Sequence, residues 1–422
     1  MPWITSALKR SRKVKEKMWA CFDREPTPTN LNLALTKQKV FEEKELSAKL
    51  KYERKITSTL KSSSKPFYSY LRNRRKVKTI VTSLKKEDGS LTNNDKETAD
   101  VFCDAFSSVF VNESYGPLPK ECYDTTYEQQ ISDIVIEDSS VKAELCKLDI
   151  FKSFGPDTVH PKLLKSLGSN VSFVHSIGEL FRKCADTGKI PPDWKSASIV
   201  ALHKKGSRDV ALNYRPVSLT SILCKVYEKV VRKHILSYVD KRITKSQHGF
   251  VNKRSCLSNL LETVDAMLDI LETGDPVDVL YLDFCKAFDT VPHYRLLTKM
   301  ESMGITGRTL DIVQDFLSGR SMTTVVRGSH SVSKAVLSGV PQGSVLGPLL
   351  FVLFINDLPD SVKHNICKLF ADDLKIIANA NKYSEICNDL MELEKWESLW
   401  LLRFNTEKCK VMSIECNNNH KK

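Results

Sequence analysis

Apolar residues recur along this chain with two periods, and the change from one to the other divides it. Over residues 37–60, Leu46, Leu50, Ile56 and Leu60 recur among Lys and Glu, which predicts a charged amphipathic helix. Ser62-Ser63-Ser64 with Pro66 breaks it, and a further helix is predicted over 99–110. Residues 112–130, with Gly116-Pro117 and Pro119, read as a linker. From about residue 131 the pattern turns mixed. Helical runs at 171–187, 223–239 and 257–272 alternate with short strand-like runs at 197–202 and 277–282. A hairpin is predicted over 322–336, turning near Gly328, and an apolar helix over 345–358.

Two of the apolar runs end in carboxylates. Val279-Leu280-Tyr281-Leu282 reads as a buried strand that stops at Asp283. Leu369-Phe370 precedes Ala371-Asp372-Asp373, and Leu374 with Ile376-Ile377 follows, so this stretch reads as a tight hairpin with two carboxylates at its tip. Three carboxylates at the ends of neighbouring strands repel unless a cation neutralises them. Such a cluster can hold two Mg²⁺ ions about 4 Å apart, which suits phosphoryl transfer. An isolated Asp-Asp pair is ordinarily a solvated turn, so its surroundings decide.

Those surroundings are rich in groups suited to phosphates. The run 197–202 leads into His203-Lys204-Lys205-Gly206, and Arg215 follows in Asn213-Tyr214-Arg215-Pro216. Two lysines and an arginine on one hairpin can neutralise a triphosphate, Arg gripping two oxygens at once. Gln247-His248-Gly249-Phe250 leads to Lys253-Arg254-Ser255-Cys256 before a helix. Basic residues there can hold phosphate, while Ser255 reads more simply as the helix N-cap. Phe288, five residues past Asp283, either packs in the core or lies beneath the sugar of a nucleotide, where its ring would exclude a 2′-hydroxyl. In Ser338-Gly339-Val340-Pro341-Gln342-Gly343-Ser344, two glycines allow close backbone approach to a ligand and Gln342 adds an amide.

Charge is distributed unevenly. The chain has 422 residues and a formal net charge of +13, yet residues 1–86 hold 23 Lys/Arg against 7 Asp/Glu and the remainder 41 against 44. A concentrated basic segment favours a polyanionic partner through counterion release. Within it, Phe67, Tyr68 and Tyr70 adjoin Arg72, Arg74, Arg75 and Lys76, a mixture suited to single-stranded nucleic acid or to a core-facing aromatic stripe with a wet basic side. The 12 cysteines are scattered without zinc-ligand spacing, so neither a zinc site nor a disulfide framework is expected. The first residues lack the apolar core of a signal peptide, and the run around 345–355 is too short for a bilayer. A soluble intracellular protein without a membrane partner is the expectation.

In this order and spacing the motifs closely resemble the reverse transcriptase domain of non-LTR (LINE-type) retrotransposons. The resemblance runs from Phe154-Gly155-Pro156-Asp157 through 213–219, 247–256, 282–289, 338–350 and 370–373 to Asn405-Thr406-Glu407-Lys408. It implies an α+β right-hand polymerase fold, with fingers and palm over 131–416, a basic and mostly helical linker over 1–130, and a polar tail at 417–422. It implies that Asp283, Asp372 and Asp373, with Phe284 beside them, bind two Mg²⁺, for which Mn²⁺ can substitute. Phe288 becomes the sugar-selecting aromatic, and Lys204 or Lys205 with Arg215 grip the incoming triphosphate. Gly339, Gln342 and Gly343 line nucleotide and template, and Lys408 protonates departing pyrophosphate, with Lys410 as a substitute. Lys253, Arg254 and the cluster at 72–76 are candidate nucleic-acid contacts. Partners would be an RNA template, a DNA primer or target, and dNTPs.

The chain ends eight residues after Ile414, where such proteins continue into a primer-holding hairpin and a helical thumb. Weak, distributive polymerisation is therefore expected. Two alternatives stand beside the polymerase reading: a catalytically silent remnant that only binds RNA through residues 1–86, and an intron-encoded maturase-type enzyme, against which the LINE-like linker speaks.

Overall fold

The computed structural model describes residues 3–58, 70, 83–113 and 130–415. The chain divides into two compact units, Met1–Val81 and Thr82–Lys422. In the first, helix α1 (Ser6–Arg24) and helix α2 (Pro28–Ser58) form a hairpin. Thr5 caps α1 by accepting from the Leu8 amide at 3.2 Å. The register is antiparallel. Trp19 donates to Gln38, the Lys15 ammonium lies over the Phe41 ring at 4.9 Å, and Trp3 approaches Tyr52. The helix expected over 37–60 thus begins earlier, at Pro28, and α1 precedes it. Pattern reading overlooked α1 because a run of Lys and Arg from Lys9 to Lys17 interrupts its apolar positions. Arg72, Arg74, Arg75 and Lys76 lie outside the described residues.

The second unit is mixed α/β and holds two sheets. Strands β1 (Ser196–His203) and β2 (Tyr214–Leu219) pair antiparallel. Strands β3 (Val277–Leu282), β4 (Ser321–Val326), β5 (Ser329–His330), β6 (Lys334–Ala335), β7 (Ile366–Phe370), β8 (Asp373–Asn379) and β9 (Lys410–Ile414) follow in the chain. The first sheet runs β2-β1-β4-β5, with β6 on β4; the second runs β7-β8-β3-β9 and is antiparallel throughout. The hairpin expected around Gly328 forms between β4 and β5. Arg327 and Gly328, both with positive φ, supply its two-residue turn.

Helix α3 (Asp95–Ser107), capped by Asn94, belongs to this unit and sets Phe102 edge-on to Tyr214. Helices α4 (Val171–Thr187), α5 (Ile222–Val239) and α6 (Cys256–Glu272) coincide with the expected runs to within a residue. Asn170 caps α4, and Gly188 in left-handed conformation ends it. Ser255 caps α6 in a reciprocal pair with Ser258, which bears out the simpler of its two readings. Helices α7 (His293–Ser302), α8 (Gly307–Leu317), α9 (Gly347–Phe354) and α10 (Tyr383–Trp400) carry further core residues, as do the short helices Asp138–Cys146 and Pro161–Leu167.

That core joins Phe181, Trp194 and Tyr227 to Phe284, Phe351 and Trp396 in one cluster. The sheet that carries the carboxylates is apolar on both faces. Leu280, Leu369, Leu374 and Ile376 enter the main core, while Val277, Val279 and Ile377 pack against Ala266 of α6. One buried carboxylate anchors the interior. Glu228 of α5 accepts from the amides of Val345 (2.6 Å) and Leu346 (2.9 Å), satisfying donors at the start of α9. Burial raises its carboxyl pKa. Among the described residues no helix is long and apolar enough to cross a membrane.

Gly155 shows how tightly one of the sequence motifs is packed. A Cβ there would lie 2.5 Å from the Thr220 carbonyl carbon and 2.6 Å from the Ser221 nitrogen, all backbone atoms just before α5. Gly155→Ala is expected to cost about 1–3 kcal/mol. A melting temperature lowered by a few degrees in a thermal scan checks this; an unchanged one would show that the 154–157 segment yields freely.

Candidate active site

The site is built from the ends of β3 and β8. Leu282 pairs with Leu374 and Tyr281 with Lys375, so one further step of the ladder sets Asp283 beside Asp373. Strand alternation puts both on the sheet face that carries Val279 and Ile377 farther along. The strands β7 and β8 are joined by Ala371-Asp372 alone, Phe370 pairing with Asp373 across this two-residue turn. Ala371 has φ 53°, a left-handed conformation uncommon for a residue with a side chain. The hairpin expected from the apolar flanks is therefore present, with Asp372 in its turn and Asp373 opening β8.

Asp373 senses the other two carboxylates. Asp373 is exposed, yet its carboxyl pKa is raised, chiefly by the protein packed around it and then by the charges of Asp372 and Asp283. Lys204, on the turn after β1, acts on Asp373 in the opposite direction. Asp283 is held by Lys408, whose Nζ donates to Oδ2 at 2.5 Å. The segment carrying Lys408 is tied to the end of β3: the Asn405 amide donates to the Asp283 carbonyl at 2.7 Å, and Phe284 bridges to Phe404. Among the described residues no three His, Cys, Asp or Glu side chains are drawn together closely enough to hold an ion. The donor set nonetheless suits a hard divalent cation, being carboxylate oxygen throughout.

A basic group faces these acids. The Lys286 pKa is lowered, first by burial, with Lys204, Lys408 and Arg215 lowering it further and Asp289 opposing them. Lys204, Arg215 and Lys408 therefore converge on one place together with Lys286, which pattern reading passed over inside the stretch 283–289. Lys286 also has a left-handed backbone and donates to the Leu212 carbonyl at 3.2 Å, bracing the β1–β2 connection. Lys205 is exposed on the same turn as Lys204.

The loop 338–343 closes over this region, and its glycines answer to chain contact. Gly339 has φ +86°, and a Cβ there would lie 2.6 Å from the Phe288 and Asp289 carbonyl oxygens. Gly343 approaches the Ser218 carbonyl of β2 similarly. Gln342 donates its amide to Asp289 Oδ1 at 2.7 Å, tying the loop to the stretch after β3. Phe288 stacks on Phe351 with centroids 4.4 Å apart and stands edge-on to the half-exposed Phe250. A partly open cavity is lined by Phe288, Asp289, Gly339 and Gln342, together with Pro216 and Phe106. Arg254 turns inward, its guanidinium on the Thr244 and Gln247 carbonyls at 2.6 and 2.5 Å, whereas Lys253 is exposed.

Residues 202–420 match the family model "Reverse transcriptase (RNA-dependent DNA polymerase)", a span that takes in β2, β3, the β7–β8 hairpin and β9. The chain belongs to the reverse transcriptase family, RNA-directed DNA polymerases that act as nucleotidyltransferases. It is 27% identical over 350 residues to the RNA-directed DNA polymerase from mobile element jockey of Drosophila melanogaster, covering 78% of this chain and 38% of that protein. It is 24% identical over 430 residues to the jockey polymerase of Drosophila funebris, covering 97% of this chain and 46% of that one. A Pol polyprotein from the type-1 retrotransposable element R2 of Popillia japonica is 27% identical over 174 residues, 40% of this chain and 24% of its own length. These relatives bear out the resemblance to non-LTR elements. The chain spans less than half the length of the curated relatives it matches.

Asp289 yields a pH test. Burial pushes its carboxyl up to about 6 from an ordinary 3.8, against the Gln342 amide and the charges of Lys286 and Arg215. A raised acid stabilises the fold fully below its ordinary pKa, and that contribution is lost as pH rises through 6. Asp289→Asn should thus gain melting temperature relative to wild type between about pH 4 and 6, with a constant gap above. A gap independent of pH would refute the raised pKa.

Proposed function

We propose that this chain is the polymerase portion of a non-LTR retrotransposon protein, adding deoxynucleotides to a primer 3′-hydroxyl on an RNA or DNA template. The observation that carries the reading is the register that sets Asp283 beside Asp373 at one end of the β3–β8 ladder, with Asp372 in the adjoining turn and Lys204, Arg215, Lys286 and Lys408 close by. Acids that suit divalent cations beside bases that suit a triphosphate match the needs of nucleotidyl transfer. Two Mg²⁺ ions, or Mn²⁺ in their stead, held by Asp283, Asp372 and Asp373 with the Phe284 backbone beside them, would ease ionisation of the primer hydroxyl and offset charge on the leaving pyrophosphate.

The chain's own groups do the rest. Lys204 and Arg215 neutralise and orient the triphosphate so that the α-phosphorus meets the primer oxygen in line. The primer hydroxyl gives up its proton to solvent water, and the O3′–P bond forms as the bond from the α-phosphorus to the bridging oxygen breaks. Phe288, braced on Phe351, presents a ring edge to the sugar and disfavours a 2′-hydroxyl. Lys408 neutralises Asp283 before substrate arrives; once released, its ammonium can give a proton to the departing pyrophosphate. Exposed Lys253 and the basic residues of 1–86 supply sequence-independent attraction to the nucleic-acid backbone.

The test is incorporation of labelled dTTP on oligo(dT)-primed poly(rA) with Mg²⁺. Wild type should incorporate, and the Asp372→Ala, Asp373→Ala double variant should fall by at least 10³-fold, as expected when electrostatic stabilisation of the transition state is removed. Equal incorporation by the two proteins would rule out this site as the polymerase centre.

A further inference from the structure

The turn that carries Asp372 has its first residue, Ala371, in a left-handed conformation at φ 53°, where glycine would be at ease and alanine is not. Something must hold it there, and one buried side chain does. Gln247 is 1% exposed. Its Oε1 accepts from the Ala371 amide at 2.9 Å, and its Nε2 approaches the Ala371 carbonyl at 3.4 Å. A side-chain amide here imitates a neighbouring strand, offering acceptor and donor to a backbone pair that the hairpin itself leaves unpaired.

The rest of the 246–249 segment acts in concert. The Leu369 amide donates to the Ser246 carbonyl and the His248 amide to the Leu369 carbonyl, both at 2.9 Å, so the segment runs as a short parallel partner of β7. Asn259 of α6 adds a second donor to that carbonyl at 3.1 Å. The Gly249 amide donates to Gln247 Oε1 at 2.7 Å and so fixes the side chain's rotamer. Gly249 itself has no room for a side chain, because a Cβ would run into the Ala371 backbone. Arg254 completes the brace by donating to the Gln247 carbonyl.

We infer that Gln247 is a positioning residue for the polymerase reaction: its buried amide holds Ala371 in the left-handed turn that aims Asp372 and Asp373 toward Asp283. The inference rests on the function proposed above. Gln247 touches no reacting atom in this scheme, and its effect passes through the turn. Loss of the clamp leaves the Ala371 amide without a partner and lets the turn relax toward right-handed conformations, moving two carboxylates at once. A displacement on the order of 1 Å at such a site can cost about 100-fold in rate.

Gln247→Met keeps length and burial but removes both polar arms. Hydrogen exchange followed by mass spectrometry should show the Ala371 amide exchanging at least about tenfold faster, with Val279 and Leu280 of β3 unchanged. In the primer-extension assay kcat should fall about 10–100-fold with KM for dTTP within about twofold. Adding Ala371→Gly to Gln247→Met should restore part of the kcat, since glycine occupies the left-handed region unaided; a merely structural defect would not be relieved by removing a methyl group. Unchanged exchange at Ala371, or faster exchange with kcat intact, overturns the inference while leaving the site assignment standing. Should Gln247→Met lose protection in β3 as well, the single variant is reporting global opening. Gln247→Glu, which keeps both acceptor bonds, must then retain Ala371 protection for the inference to survive. Incorporation insensitive to Asp372 and Asp373 would sink the site assignment and this inference together.

Discussion

The antiparallel register of β3 against β8 is the constraint on which the site depends. With Leu282 opposite Leu374, Asp283 and Asp373 fall side by side on one face, and the leucines beneath them enter the core. A slip of β8 by one residue would turn Leu374 and Ile376 out of the main core onto the face that packs against α6, and would part the two carboxylates. Burial of the apolar alternates on both faces therefore fixes the position of the acids. The electrostatic cost of crowding them is borne by a register that hydrophobic packing has already chosen.

That cost is met locally by cations. Lys408 holds Asp283, Lys204 tempers Asp373, and Lys286 stands among Lys204, Arg215 and Lys408 with its own pKa depressed. Acid and base come from segments far apart in sequence: the β1–β2 turn, the end of β3, the β7–β8 turn and the approach to β9. Each segment is anchored by backbone hydrogen bonds, so the charges are held by the frame and not by one another. Such a preorganised mixture of charge is suited to a substrate that is itself a polyanion.

Much of this was legible in the sequence. Apolar runs beside Asp283 and on either side of Asp372-Asp373 located β3, β7 and β8, and the helices 171–187, 223–239 and 257–272 followed from their periodicity. The illegible parts share a cause, which is that they concern side chains serving the fold locally. Nothing in the spacing of Gln342 told that its amide would meet Asp289, nor that Arg254 would turn inward onto backbone carbonyls. Gly339 and Gly343 suggested room for a ligand, whereas their contacts are with the chains of residues 288–289 and β2. Helix α1 was hidden by its charge, and the importance of Lys286 by its place inside a motif read for its aspartate.

The most direct test of the account is metal binding by the carboxylates themselves. Mn²⁺ titrated into the purified chain and followed by electron paramagnetic resonance reports free ion without any need for turnover. The account predicts saturable depletion of the free-ion signal by wild type and its loss in both Asp283→Asn and Asp373→Asn. Binding that persists unchanged in Asp283→Asn would contradict the claim that the ends of β3 and β8 form one metal-dependent site.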